Sequence, residues 1–188
     1  IVTTPIFRAV TTERILSTPE TFGSFKVYIR LKDKMLPHDP VTHYLPQYQL
    51  LVLTPPACEN PQYAQTIECI MPLDYSLLDS WKSNRHADYK SYETFKKCKA
   101  QDVIQIINAI YPNINDCIAD YFTSTSLSFR DIYHSPQGAM YGLSSPIGGV
   151  TTKVENLFLT GQNCFMHGFY GTLCTAIETV NAIENKYE

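Results

Sequence analysis

Apolar and polar residues alternate through Phe22–Leu31 (FGSFKVYIRL), which sets Phe25, Val27, Ile29 and Leu31 on one side, as a half-buried strand requires. Residues 32–46 carry three prolines and two histidines and read as a loop. Tyr48–Thr54 (YQLLVLT) predicts a second, more fully buried strand, stopped by Pro55 and Pro56. Thr66–Leu73 (TIECIMPL) predicts a third, with Ile67, Cys69 and Met71 on one side. Three successive strands joined by short or medium loops favour antiparallel pairing.

The period then changes. Val103, Ile106, Ile107 and Ile110 follow helical spacing, Tyr92, Phe95 and Cys98 extend the stripe upstream, and the helix is expected to end before Pro112. Asn113 stands at an N-cap position for a short helix over Ile114–Tyr121. Phe122–Phe129 (FTSTSLSF) is rich in β-formers and predicts a strand. Ser135–Gly149 holds four of the eight glycines and two prolines, so this loop turns sharply or lets something approach its backbone. Val154–Thr160 (VENLFLT) predicts a strand, and Gly171–Tyr187 a helix with Leu173, Ile177, Val180 and Ile183 on one face. The fold class expected is α+β: a mainly antiparallel sheet with packed helices over residues 1–150, then a strand–turn–helix over 151–188.

Composition narrows the function classes. With 44% hydrophobic and 12% aromatic residues, 188 residues suffice for a buried core. A formal net charge of −3 with 18% charged residues provides no basic field for nucleic acid. No run of apolar residues is long enough for a membrane span and no signal peptide is evident; peripheral membrane contact stays open. Cys58, Cys69, Cys98, Cys117, Cys164 and Cys174 form no C-x-x-C pair and no cluster with histidine at metal-ligand spacing. They read as reduced, mostly buried thiols of a cytoplasmic protein, although an even count also permits disulfides, and no metal site is expected. The first residue is Ile1 rather than methionine, which suggests processing or a piece of a longer polypeptide.

The chemistry concentrates between the last strand and the last helix, in TGQNCFMHGFYG, punctuated by Gly161, Gly168 and Gly171. Glycine lacks the Cβ that would hold a planar ligand away from the backbone. The helix that follows offers unpaired N–H groups and the positive end of its dipole to an electron-rich group. Gln162 and Asn163 add side-chain hydrogen bonding, and His167 fits either a ligand neighbour or an ordinary polar turn residue. An ordinary strand–turn–helix connection would use the same glycines.

ENLFLTGQNCFMHGFYGTLCTA resembles the carboxyl-terminal flavin motif of the phytoene desaturase and retinol saturase family of FAD-dependent oxidoreductases. TSTSLSFRDIYHSPQGAMYGL (Thr123–Leu143) is similar to the family's segment that returns from the substrate domain toward the flavin, and Trp81–Lys97 to its substrate-domain helix. The resemblance covers roughly the last two thirds of the chain.

The resemblance implies FAD as cofactor. Gly161, Gln162 and Asn163 would lie along the ribityl and pyrophosphate side, with His167, Gly168 and Gly171 near the ring. Gln162-Asn163 stands where related flavoproteins often place an aspartate, so a neutral hydrogen bond would replace a charged one. The activity implied is hydride transfer at a carbon–carbon bond of an apolar carotenoid- or retinoid-like substrate. Arg130, His134 and Tyr141 are candidate substrate-cavity residues, although a strand end with polar residues explains them equally. No side chain is singled out as a catalytic acid or base.

The strand–G-x-G-x-x-G–helix unit that binds the adenosine half of the cofactor does not occur among the eight glycines. The 188 residues are therefore expected to be a carboxyl-terminal part that is inactive alone and prone to self-association through an uncovered apolar face. Two rivals stand beside this reading: an amine-oxidase-like flavoenzyme acting on a small molecule, and a binding module without a cofactor.

Overall fold

The computed structural model describes residues 7–83, 88–135 and 137–187, the last without its side chain. The resemblance of Trp81–Lys97 and the glycine-bearing loop therefore fall partly outside the described residues, at positions 84–87 and 136, as does Ile1. The chain divides into two compact units, Phe22–Gly138 and a second made of Ile1–Thr21 with Ala139–Glu188.

The first unit is built on a five-stranded antiparallel sheet, so the fold is α+β as expected. Its strands are β1 (Gly23–Leu31), β2 (His43–Leu45), β3 (Leu50–Leu53), β4 (Thr66–Leu73) and β5 (Ile118–Ser124), in the order β2-β3-β4-β1-β5. The alternation read from the sequence sets the register: Phe25 opposes Met71, Val27 opposes Cys69 and Ile29 opposes Ile67. Phe25, Val27, Ile29 and Ile67 are completely buried.

The long helix α2 (Tyr89–Ile107) covers this face with Tyr92, Ala100, Val103, Ile104 and Ile107. Asp88 caps its first turn by accepting from the Ser91 amide at 3.3 Å. Trp81, at the end of a short 3-10 helix (Tyr75–Trp81), donates its indole N–H to Ser91 Oγ at 2.9 Å and packs beside Tyr92 and Phe95.

Three expectations for this unit need correction. The loop predicted over residues 32–46 contains β2, whose three residues pair with β3. The helix expected over Ile114–Tyr121 stops after one turn, α3 (Ile114–Cys117), because from Ile118 the chain pairs with the open edge of β1. The Lys32 amide donates to the Cys117 carbonyl at 2.8 Å there, and Arg30 forms a two-pronged pair with Asp120 at 2.7 and 3.0 Å.

The strand expected over Phe122–Phe129 ends at Ser124, and α4 (Ser126–Tyr133) replaces its second half. Thr125 decides the change. Its hydroxyl oxygen accepts from the Leu127 amide at 3.1 Å as an N-cap, and the same buried hydroxyl meets Tyr92 Oη at 2.8 Å. Gly138 fits against this turn with φ of 64°, where an added Cβ would overlap the Ser126 carbonyl.

The second unit begins with α1 (Ala9–Ser17), a helix not predicted from sequence because it buries none of its residues and so shows no clear core stripe. Arg14 donates to the Ile147 carbonyl at 3.2 Å, the Thr21 amide to Gly142 at 2.7 Å, and Glu20 bridges to Leu143. Residues 147–164 fold back on themselves, with the Ile147 amide donating to Asn163 and the Leu159 amide to Val150, each at 2.7 Å.

The strand expected over Val154–Thr160 does not form: the segment has a single bridge, Thr151 to Phe158. Asn156 sits in the left-handed region at φ of 58°, the Leu157 amide turns back to the Val154 carbonyl, and Thr152 Oγ1 holds the Leu157 carbonyl at 2.8 Å. These interactions make a compact turn in place of an extended run. The last element among the described residues is α5 (Gly168–Tyr187), the helix expected from Gly171 onward with one extra turn at its start.

All six cysteines are free thiols; Cys69, Cys117 and Cys164 are buried, whereas Cys58 and Cys98 are exposed. Among the described residues no helix is long and apolar enough to cross a membrane, and no group of ligating side chains could hold a metal ion.

Candidate functional site

The turn between Thr160 and α5 is held from below by the doubled-back segment that precedes it. The Cys164 amide closes it by donating to the Gly161 carbonyl at 3.2 Å, and the Thr179 hydroxyl of α5 donates to the Leu159 carbonyl at 2.9 Å. Burial pushes the Cys164 thiol above its ordinary range.

Gly161 and Gly168 share one character. Both have positive φ, 103° and 78°, and a Cβ added to Gly161 would meet nothing within 4 Å. One added to Gly168 would meet only Tyr141 Cε1, at 3.8 Å. Their backbones are bare, and a side chain at either position would strain the chain and fill the space above it.

Gly171 differs: a Cβ there would run into the backbone of Met166, so this glycine serves the close packing of the turn against α5. Asn163 is also engaged internally. Its Oδ1 accepts from the Leu143 amide at 2.9 Å, and Gly142 is packed so closely that a Cβ would strike the same oxygen. Gln162 lies beside it, its amide nitrogen 3.2 Å from where that Cβ would stand.

His167 immediately precedes the helix. Its Nδ1 is buried and has no hydrogen-bond partner among the described residues, an arrangement that costs free energy unless something else supplies the bond. The ring lies 6.2 Å from that of Tyr141, tilted by 47°. Tyr141 is positioned by its amide, which donates to Thr21 Oγ1 at 3.2 Å.

The candidate cavity residues fall in both units. Arg130, on α4, binds the carboxylate of Asp131 at 2.8 Å and donates to the Lys82 carbonyl; the Asp131 bond, foremost, holds its guanidinium firmly charged. His134 ends α4 in a left-handed conformation at φ of 57° and is exposed. In the other unit, Tyr141 is brought beside His167 and Gly168. Thr21 and Gly142, which position Tyr141 and Asn163, went unnoticed in the sequence because no local pattern ties them to a turn far along the chain.

A flavin fits the residues present in part. Gly161 and Gly168 leave open space, His167 offers an unused ring nitrogen, and a helix of 20 residues begins at Gly168 with its first N–H groups lacking partners within the helix. Asn163 Oδ1 and Gly171 are committed to the protein's own packing.

No family model matches the chain. It is similar to all-trans-retinol 13,14-reductase. The protein of that name from Danio rerio is 27% identical over 135 residues, 64% of this chain and 22% of that protein. The one from Homo sapiens is 23% identical over 168 residues, 79% of this chain and 27% of that protein. The chain thus spans about a quarter of the length of the curated relatives it matches.

Proposed function

We propose that this chain is the carboxyl-terminal part of an FAD-dependent oxidoreductase that acts on a carbon–carbon bond of an apolar, retinoid- or carotenoid-like substrate. The observation that carries the reading is the turn at Gly161–Gly168, with two bare left-handed glycines, a buried His167 Nδ1 without a partner among the described residues and the start of α5 gathered in one unit. Similarity to retinol reductases supports an oxidoreductase and a retinoid-like substrate.

In this reading Gly161 and Gly168 would leave room for the flavin beside the backbone. The first N–H groups of α5 and the positive end of its dipole favour negative charge on the pyrimidine ring. His167 Nδ1 would donate to or accept from the flavin, and Tyr141, whose ring lies beside it, would help keep water out. Bound flavin supplies the hydride chemistry, so no protein side chain is needed as an essential acid or base.

The adenosine half of the cofactor requires the G-x-G-x-x-G unit that this sequence lacks. The purified 188 residues are therefore expected to bind FAD weakly or not at all and to show no turnover; stoichiometric yellow flavin on them would overturn this expectation. The coding sequence before Ile1 tests the reading directly. A strand followed by G-x-G-x-x-G is the outcome expected, and a start codon immediately before Ile1 would sink it. In the protein carrying that unit, Gly168→Val should abolish flavin retention measured by absorbance, and unchanged flavin content would remove Gly168 from the site.

A further inference from the structure

The second unit contains a cavity of about 360 Å³ that none of the six residues assigned to the flavin lines. It lies between α1 and the segment around Gly148 and Gly149, two walls joined by the Arg14 bond to the Ile147 carbonyl at 3.2 Å. Its size falls within the range of small-molecule sites.

The walls have two chemistries. Arg8, Arg14 and Lys153 line it with three positive charges, and no carboxylate occurs among its lining residues. An anion entering the cavity therefore meets three cations and, among the described lining residues, no carboxylate that would repel it. Thr11 and Thr151 add hydroxyl donors beside the cations.

The remaining wall is apolar, formed chiefly by Ile15, Ile147, Val154 and Leu159. Gly148 and Gly149 complete the rim; each has positive φ, and a Cβ on either would meet nothing within 4 Å. Their amides are committed to the Cys164 carbonyl at 3.2 and 3.4 Å, so they contribute space, and the charged side chains contribute the binding.

We propose that this cavity binds an amphipathic anion, a carboxylate or phosphate whose charged group meets Arg8, Arg14 and Lys153 while its apolar body lies along Ile15, Ile147, Val154 and Leu159. The site is independent of the flavin reading and stands or falls separately from it.

Calorimetric titration of the 188-residue chain with decyl phosphate and with decanoate, both below micelle-forming concentrations, tests the proposal. Decanol serves as the uncharged control and inorganic phosphate as the control without an apolar body. At least one of the two amphipathic anions should bind about tenfold or more tightly than either control, and its binding should weaken as salt rises. Arg8 and Lys153 are exposed, so Arg8→Gln and Lys153→Gln should leave the circular-dichroism melt unchanged while together weakening binding about tenfold or more. Whichever of decyl phosphate and decanoate binds identifies the charged group. Decanol binding equally would reduce the cavity to an apolar cleft, inorganic phosphate binding equally would remove the role of the apolar wall, and either result overturns the proposal. So would a double variant that binds like the parent, or no binding at all.

Discussion

Ile29 and Ile177 are the same side chain in two surroundings. Ile29 is fully buried in β1, an interior strand of the sheet that α2 covers, whereas Ile177 on α5 is 54% exposed. The contrast extends to their units. In Phe22–Gly138, apolar residues from β1, β3, β4, α2, α3 and α4 meet in one core. In the other unit α5 leaves Phe169, Leu173, Ile177, Val180 and Ile183 exposed, Phe169 to 89%. Apolar periodicity marks which residues belong on one face of an element, but it does not name what that face will touch. The first unit is stabilised from within; the second keeps apolar area in water, roughly 25 cal/mol for each Å² that remains uncovered.

The largest expected effect is therefore in the first unit. Ile29→Ala should lower the free energy of unfolding by about 2–5 kcal/mol in a urea titration, because the cavity it opens is enclosed on every side. A loss below about 1 kcal/mol would mean that the core is less closely packed than its burial indicates.

Gly138→Ala should cost more than about 1 kcal/mol in the same assay, since the new Cβ must adopt a left-handed φ and displace the Ser126 carbonyl. An unchanged midpoint would show that the turn relaxes freely.

A pH-dependent contribution comes next. His43 Nε2 approaches Asp39 Oδ2 at 2.6 Å, Tyr111 donates to the same oxygen at 3.1 Å, and the Val41 amide donates to Oδ1 at 2.9 Å. These bonds, the His43 contact foremost, hold the Asp39 carboxyl below its usual range. Its stabilising contribution is therefore complete above the ordinary carboxylate pKa and disappears as pH falls through the lower value it has in the folded chain. Asp39→Asn should remove that part of the acid sensitivity of the urea midpoint. An identical pH profile would show that the cluster carries no linkage.

The smallest effect is expected on α5. Val180→Ser should change stability by less than about 0.5 kcal/mol, because the side chain it replaces is half exposed. A loss as large as that of Ile29→Ala would erase the distinction between the two regions.

Strand alternation in β1 and β4 and the helical stripe of α2 were legible because each element's own sequence repeats with the period of its structure. β2 was hidden by its length of three residues between prolines, and its pairing comes from β3. The exchange of strand for helix at Thr125 turned on a hydroxyl that caps α4 and meets Tyr92, a contact between residues 33 apart. At the candidate site, the glycines were legible as a turn, but their division of labour was not. Gly161 and Gly168 face open space while Gly171 is pressed against Met166, a difference set by neighbours and not by spacing. The commitment of Asn163 to the Leu143 amide is equally invisible in the local sequence.

The strand order also governs how the chain can be made. β1 occupies the sheet between β4 and β5, and its registered partners Arg30 and Asp120 are 90 residues apart in sequence. During synthesis at about 5–20 residues per second, β1 waits several seconds or more for its second neighbour to leave the ribosome. Through that interval the edge of β1 that will meet β5 is unpaired, an open strand edge of the kind that invites pairing with another chain.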